Sequence, residues 1–138
     1  MTLRRRIIIP AFAVVAVAAG LGLVHEVSAG TKTSYPVVVD LRARTASGAI
    51  GAARNSPDFS QVIGCFVHAQ AGVAALSLTC EARDANGATM MCARGDAALI
   101  TASQAINGDS YVSVDWDGNG VCTCLTVWNS SVHEPKLP

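Results

Sequence analysis

The stretch "VAALSLTCEARDANGATMMC", residues Val73 to Cys92, decides the fold. Its first half alternates, with Ala74, Leu76, Leu78 and Cys80 on one face, the period-2 signature of a strand with one side buried. "DANGA" comes next. A three-residue loop of Ala85, Asn86 and Gly87, with Gly87 in the left-handed position, pairs Asp84 with Ala88 and folds the chain back as an antiparallel hairpin. Counting outward from that pair sets Cys80 directly opposite Cys92. Directly opposed residues have Cβ atoms about 4.5–5.5 Å apart, nearest in a non-hydrogen-bonded pair, so a bridge between these two is feasible.

Upstream, "SQVIGCFVHAQ" alternates with Ile63, Cys65 and Val67 on one face and reads as another strand. Downstream, "GDAALITASQAING" breaks the strand period. Asp96 can cap a helix there, Ala98, Leu99, Ala102, Ala105 and Ile106 gather on one side, and Asn107 with Gly108 stops it. "DSYVSVDW" and "VCTCLTVW" then flank "DWDGNG". With Gly118 and Asn119 as a two-residue turn, Trp116 faces Val121, Val114 faces Thr123 and Val112 faces Leu125. Cys122 and Cys124 then project together from the opposite face, beside Asp115 and Ser113. Earlier in the chain, "YPVVVDL" is a strand, whereas the small residues of "ARTASGAIGAARNSPDF" read as a loop ending in a turn at Asn55 to Asp58. The tail "NSSVHEPKLP" reads as extended or mobile at its end. The fold class implied is α+β, mainly β. It comprises an antiparallel sheet of about five strands in two hairpins with one short helix between them, stabilised by disulfides, with a β-sandwich as the alternative.

The amino terminus sets the compartment. Arg4, Arg5 and Arg6 precede an apolar run from Ile7 to Val24, and "VSA" ends at Ala29 with the small residues a signal peptidase requires. Residues 1–29 therefore read as a secretory signal peptide, 30–58 as an N-terminal strand and loop region, and 59–138 as the disulfide-stabilised antiparallel core with its tail. Cleavage leaves 109 residues, one domain of ordinary size, secreted or periplasmic. An uncleaved segment anchoring the chain to the inner membrane is the alternative, and before cleavage this segment is the chain's one membrane contact.

The exported part carries 7 basic and 9 acidic residues, which excludes a basic field for nucleic acid. Aromatic residues make up 5% of the chain, so stacking platforms for single strands or glycans are scarce. All five cysteines lie beyond the signal, and in an oxidising space they form a disulfide framework with one thiol left over. Cysteines two apart on a strand lie roughly 6.7 Å apart, near the upper limit for a bridge, so Cys122 and Cys124 seek different partners. The pairing favoured is Cys80 with Cys92 and Cys65 with Cys122, leaving Cys124 as the free thiol.

Four sets of residues bear on chemistry. Asp115, Asp117 and Asn119 occupy alternating ligand positions of a calcium loop, with Gly120 at the sharp turn, and calcium is the cofactor this segment would take. Thr126 stands where the bidentate Glu belongs, inside a strand, and Asp, Gly and Asn are equally hairpin-turn residues. "GDS", residues 108–110, surrounds the nucleophile in some exported hydrolases, so Ser110 with His68 or His133 is a candidate pair. Those hydrolases place an Asp three residues before the His, however, where Ser130 stands here, and a helix stop followed by a strand start accounts for the same residues. His68 with Cys122 and Cys124 lacks the ligand spacing of structural zinc. Asn129, Ser130 and Ser131 match the glycosylation acceptor pattern.

"ARNS", "VIGC", "INGDSYVSVDWDGNG", the next cysteine and "LTV" together resemble a set of small exported bacterial proteins known as uncharacterised, over most of residues 53–136. The resemblance implies export and a single cysteine-stabilised domain and carries no activity. The expectation is an exported binding or structural protein without catalysis, taking an unknown protein or a cell-envelope component as partner and needing no cofactor. A hydrolase using Ser110 and a calcium-dependent binding module using the Asp115–Gly120 turn are the alternatives.

Overall fold

A computed structural model describes residues 32–135 and Leu137. The signal segment lies outside the described residues. Among the described residues seven strands and two helices succeed one another: β1 (Val38–Asp40), β2 (Thr45–Ala49), α1 (Ile50–Asn55), β3 (Val62–His68), β4 (Ser77–Arg83), β5 (Thr89–Arg94), α2 (Ala97–Ser103), β6 (Ser110–Trp116) and β7 (Cys122–Asn129). The chain is mainly β, as its alternating segments require. The strands form two open antiparallel sheets, β1-β2-β6-β7 and β3-β4-β5, in place of one sheet of about five strands. Ile63, Leu78, Ala82 and Met90 of the smaller sheet share one buried apolar cluster with Ala46, Val112, Val114 and Leu125 of the larger.

The first hairpin is set by its turn. The Asp84 amide donates to the Ala88 carbonyl at 3.1 Å, closing the loop, and Gly87 sits at φ 85°. Cys80 stands opposite Cys92, and Cys65 opposite Cys80, so three cysteines lie in a row across β3, β4 and β5.

The disulfides use the four expected cysteines in a different pairing, Cys65–Cys80 and Cys92–Cys122, and Cys124 is free and exposed. The reason is geometric. Cys65 and Cys80 have Cα atoms 4.0 Å apart, the close spacing of a non-hydrogen-bonded pair. In that phase the main-chain groups of Cys80 face β5, which makes Cys80 and Cys92 the wider, hydrogen-bonded pair. Cys92 instead reaches Cys122 on the other sheet, across a Cα separation of 5.1 Å.

The register of β6 and β7 also departs from the two-residue turn. The loop holds three residues, Gly118, Asn119 and Gly120. The Asp117 amide donates to the Val121 carbonyl at 3.0 Å, and Gly120 has φ 75°. Trp116 pairs with Cys122, Asp115 with Cys124, Val114 with Leu125 and Val112 with Val127, with a bulge at Thr123. The bulge lets Cys122 share the inward side with Leu125 at a spacing of three, whereas Cys124 stays outside.

Two further stretches differ from expectation. "TASGA", read as loop, is β2, held between β1 and β6, and the next six residues are α1. Small residues are required there because other backbone lies close: a Cβ on Gly48 would stand 2.9 Å from Val37 Cα, and one on Gly51 would stand 2.2 Å from the Glu134 carbonyl oxygen. The tail is accordingly docked on α1, with Asn55 Nδ2 donating to the Pro135 carbonyl at 3.0 Å and its Oδ1 accepting the Leu137 amide at 3.0 Å. In α2 the Asp96 carboxylate accepts from the Ala98 and Leu99 amides, capping the helix as expected. Its buried residues are Ile100 and Ser103, with Leu99 and Ala102 partly buried beside them, while Ala98 and Ala105 face out. Ser103 can be buried because its hydroxyl donates to the Ile100 carbonyl at 2.7 Å.

Candidate binding face

Correct register brings two aromatic residues together. Tyr111 on β6 stands directly opposite Trp128 on β7, their ring centroids 6.2 Å apart and the rings edge-to-face. The segment before β1 adds Tyr35, whose carbonyl accepts the Ala49 amide at 2.9 Å and whose ring lies edge-on to Tyr111 at 5.4 Å. The tail adds His133, its ring edge-to-face with Trp128 at 4.7 Å and with Tyr35 at 5.5 Å. Both ends of the described chain are tied here: the Thr33 amide donates to the Val132 carbonyl at 2.8 Å, and Lys32 Nζ donates to the Ser131 carbonyl.

His133 is 2% exposed. Its Nδ1 lies 3.2 Å from the Asp109 carbonyl oxygen, and because a carbonyl only accepts, Nδ1 carries the proton. Nε2 is left buried among the rings with no hydrogen-bond partner among the described residues. Above it, Trp128 is 47% exposed, and Tyr35 and Tyr111 are half-buried. A polar depression lined by Asn107, Asp109, Asn129, Ser130 and Ser131 draws on the same ends of β6 and β7. An exposed indole on a strand, backed by rings that fix its orientation, is a surface of the kind used to hold another molecule. Composition could not reveal it, because a low aromatic content says nothing about where the few aromatic residues gather.

Ser110 is fully buried. Its hydroxyl donates to Asn129 Oδ1 and accepts the Asn107 amide at 2.8 Å, so it fastens the start of β6 to the end of β7. His133 directs Nδ1 at the Asp109 main chain, and His68 lies on β3 in the other sheet. Neither pair of the hydrolase reading is assembled as nucleophile and base. Asn129, the residue of the acceptor pattern, also donates through Nδ2 to the Ala105 carbonyl at 3.1 Å, so its amide is part of the same fastening.

Asp115, Asp117 and Asn119 all lie at the β6–β7 hairpin. Asp115 lies within β6 opposite Cys124, and Asp117 and Asn119 are in the loop region. Asp117 Oδ1 accepts the Val121 amide at 2.9 Å and the Asn119 amide at 2.8 Å. The Val121 amide first, and the Asn119 amide next, hold its carboxyl below the usual carboxylate range. Asp58 is held lower still, chiefly by Gln61 Nε2 at 2.6 Å and then by the Ser60 amide. Among the described residues no three His, Cys, Asp or Glu side chains gather as a metal group. The zinc reading of His68, Cys122 and Cys124 is overturned, since Cys122 is in a disulfide and His68 lies on the other sheet.

No family model, no curated protein and no solved structure matches this chain. The two disulfides indicate an oxidising environment, and among the described residues no helix is long and apolar enough to cross a membrane.

Proposed function

We propose that the chain is an exported, non-catalytic binding module that engages a cell-envelope component or another exported protein through Trp128, Tyr111 and Tyr35. The observation that carries this reading is Trp128, 47% exposed on a strand and oriented by three surrounding rings. A half-exposed indole held on a rigid element loses little freedom on binding, the property of an anchor residue. The commitment of Ser110 to Asn129 and Asn107 supports the absence of catalysis. The Arg-led apolar leader and the Ala29 site support export.

The full chain, expressed in a bacterium with its leader, tests both parts. N-terminal sequencing of the exported fraction finds Gly30 as the first residue, and intact Met1 in the membrane fraction overturns cleavage. Affinity capture from envelope and extracellular fractions with wild type and Trp128→Ala yields a component retained at least about tenfold better by wild type. Turnover on ester or glycoside panels that a folded Ser110→Ala variant abolishes overturns the non-catalytic reading.

A further inference from the structure

The smaller sheet ends on β3, and this edge differs from the others. β1 has three residues and closes on Asp40, and β5 is tied to the β6–β7 loop through the Ala93 amide, which donates to the Gly120 carbonyl at 3.1 Å. β7 is eight residues long and also without charge or proline, but its bulge at Thr123 interrupts that edge. β3 has seven residues, Val62–His68, with no proline, lysine, arginine or carboxylate among them. Edges of this length are ordinarily blunted by charge, proline or a bulge. The exposed apolar side chains Phe59, Val62, Phe66, Val67, Val73 and Leu76 lie on this strand or in the segments flanking it.

The hydrogen-bond phase says which groups are open. Cys65 and Cys80 form a non-hydrogen-bonded pair, so the N–H and C=O groups of Ile63, Cys65 and Val67 point away from β4. Among the described residues they make no hydrogen bond. We propose that a second copy of this chain pairs antiparallel with β3 about a two-fold axis at Cys65, joining two three-stranded sheets into one of six strands.

The strand is complementary to itself in this register. Cys65 meets Cys65 of the copy as a hydrogen-bonded pair, and Ile63 meets Val67, so every outward N–H and C=O of the three residues finds a partner. Gly64 meets Phe66 as a close, non-hydrogen-bonded pair. Nothing lies within 4 Å of where a Gly64 Cβ would be, which leaves room for the copy's Phe66 ring, itself 53% exposed. No like charges oppose one another, because the strand carries none.

Sedimentation of the purified exported protein, with amide hydrogen exchange by NMR at two concentrations, tests the proposal. Twice the chain mass is expected at about 0.1 mM. The amides of Ile63, Cys65 and Val67 exchange at least about tenfold faster on dilution, whereas those of Gly64 and Phe66, which face β4, stay protected throughout. Val67→Lys yields a monomer. If that variant fails to fold, Phe66→Asp, on the solvent side of the sheet, serves in its place with the same outcome. A wild-type monomer at about 0.1 mM overturns the pairing. So does a dimer in which the Cys65 and Val67 amides exchange freely, or a dimer that both variants retain.

Discussion

The loops at Asp84–Ala88 and Asp117–Val121 are built alike, yet they open into hairpins of different character. In each, the leading Asp amide bonds across to the closing residue, at 3.1 and 3.0 Å, and the Gly amide returns to the Asp carbonyl, at 3.1 and 3.2 Å. Each Asp Oδ1 accepts two loop amides, and Gly87 and Gly120 share a left-handed backbone. Beyond the first loop, β4 and β5 keep an unbroken register from Arg83–Thr89 to Leu78–Arg94. Beyond the second, β6 and β7 slip at Thr123. A loop therefore fixes the closing pair and no more. The register farther along each hairpin depends on where its strands must deliver their side chains, and β7 must deliver Cys122 to Cys92 and Leu125 to Val114.

The sharpest contrast comes from deleting one residue in each hairpin. Loss of Met91 from the regular strand β5 forces Met90 and Cys92 onto opposite sides, although both are buried in the wild type. Urea denaturation should register a loss of at least about 4 kcal/mol, or no folded protein. Loss of Thr123 removes only the bulged residue. Cys122 and Leu125 then keep the same side by ordinary alternation, and stability should change by about 1 kcal/mol or less with Cys92–Cys122 intact. Equal losses in the two deletions would show that the bulge is as essential as the regular register.

Next in size are the disulfides. Cys92–Cys122 spans 30 residues and joins the sheets, whereas Cys65–Cys80 spans 15 within one sheet. Loop-closure entropy alone gives roughly 4 kcal/mol for the first and roughly 3 for the second. Double Cys→Ala variants compared in denaturant should fall in that order. The reverse order would place the tighter restraint inside the sheet instead of at the seam.

The same contrast explains what could be read from the residues in advance. Asp84, Gly87 and the Cys80–Cys92 register are consequences of five adjacent residues, and they were legible. The pairing of the cysteines was not, because it depends on which cross-strand pair is the narrow one and on a second sheet that brings Cys122 to Cys92. β2 was hidden because Gly48 within it, which weakens a strand pattern, is required by the approach of Val37, a contact made by another part of the chain. The aromatic face was hidden by register: a two-residue loop sets Tyr111 opposite Thr126, and only the three-residue loop sets it opposite Trp128. Tyr35 and His133 come from opposite ends of the described chain, where no local pattern could join them.

A smaller effect separates the two aspartates. Asp84 is 7% exposed, and its Oδ1 accepts the Asn86 and Ala88 amides, both at 2.9 Å. Asp84→Ala leaves those donors unsatisfied and should lower stability by about 2 kcal/mol in thermal melts. Asp117 makes the same bonds in contact with water, which replaces them when the carboxylate is removed. Asp117→Ala should therefore be clearly the milder of the two, and a harsher result would assign the second loop a role in holding the sheets together through Gly120 and Ala93.

The smallest effect is that of acid on the second loop. Asp117 is held below its ordinary value by the Val121 amide and then the Asn119 amide, so the folded state keeps its carboxylate ionised to lower pH than the unfolded chain does. A depressed folded value contributes stability that is complete above the unfolded value near about pH 4 and is lost as pH falls through the folded one. The Val121 and Asn119 amide resonances should accordingly hold steady above about pH 4 and shift together below it. Asp117→Asn, which keeps an acceptor oxygen but cannot ionise, should abolish that titration while leaving the Trp116–Cys122 pairing in place. Persistence of the shift in that variant would transfer it to another group, and the two loops would then differ in their electrostatics as well as in the strands they serve.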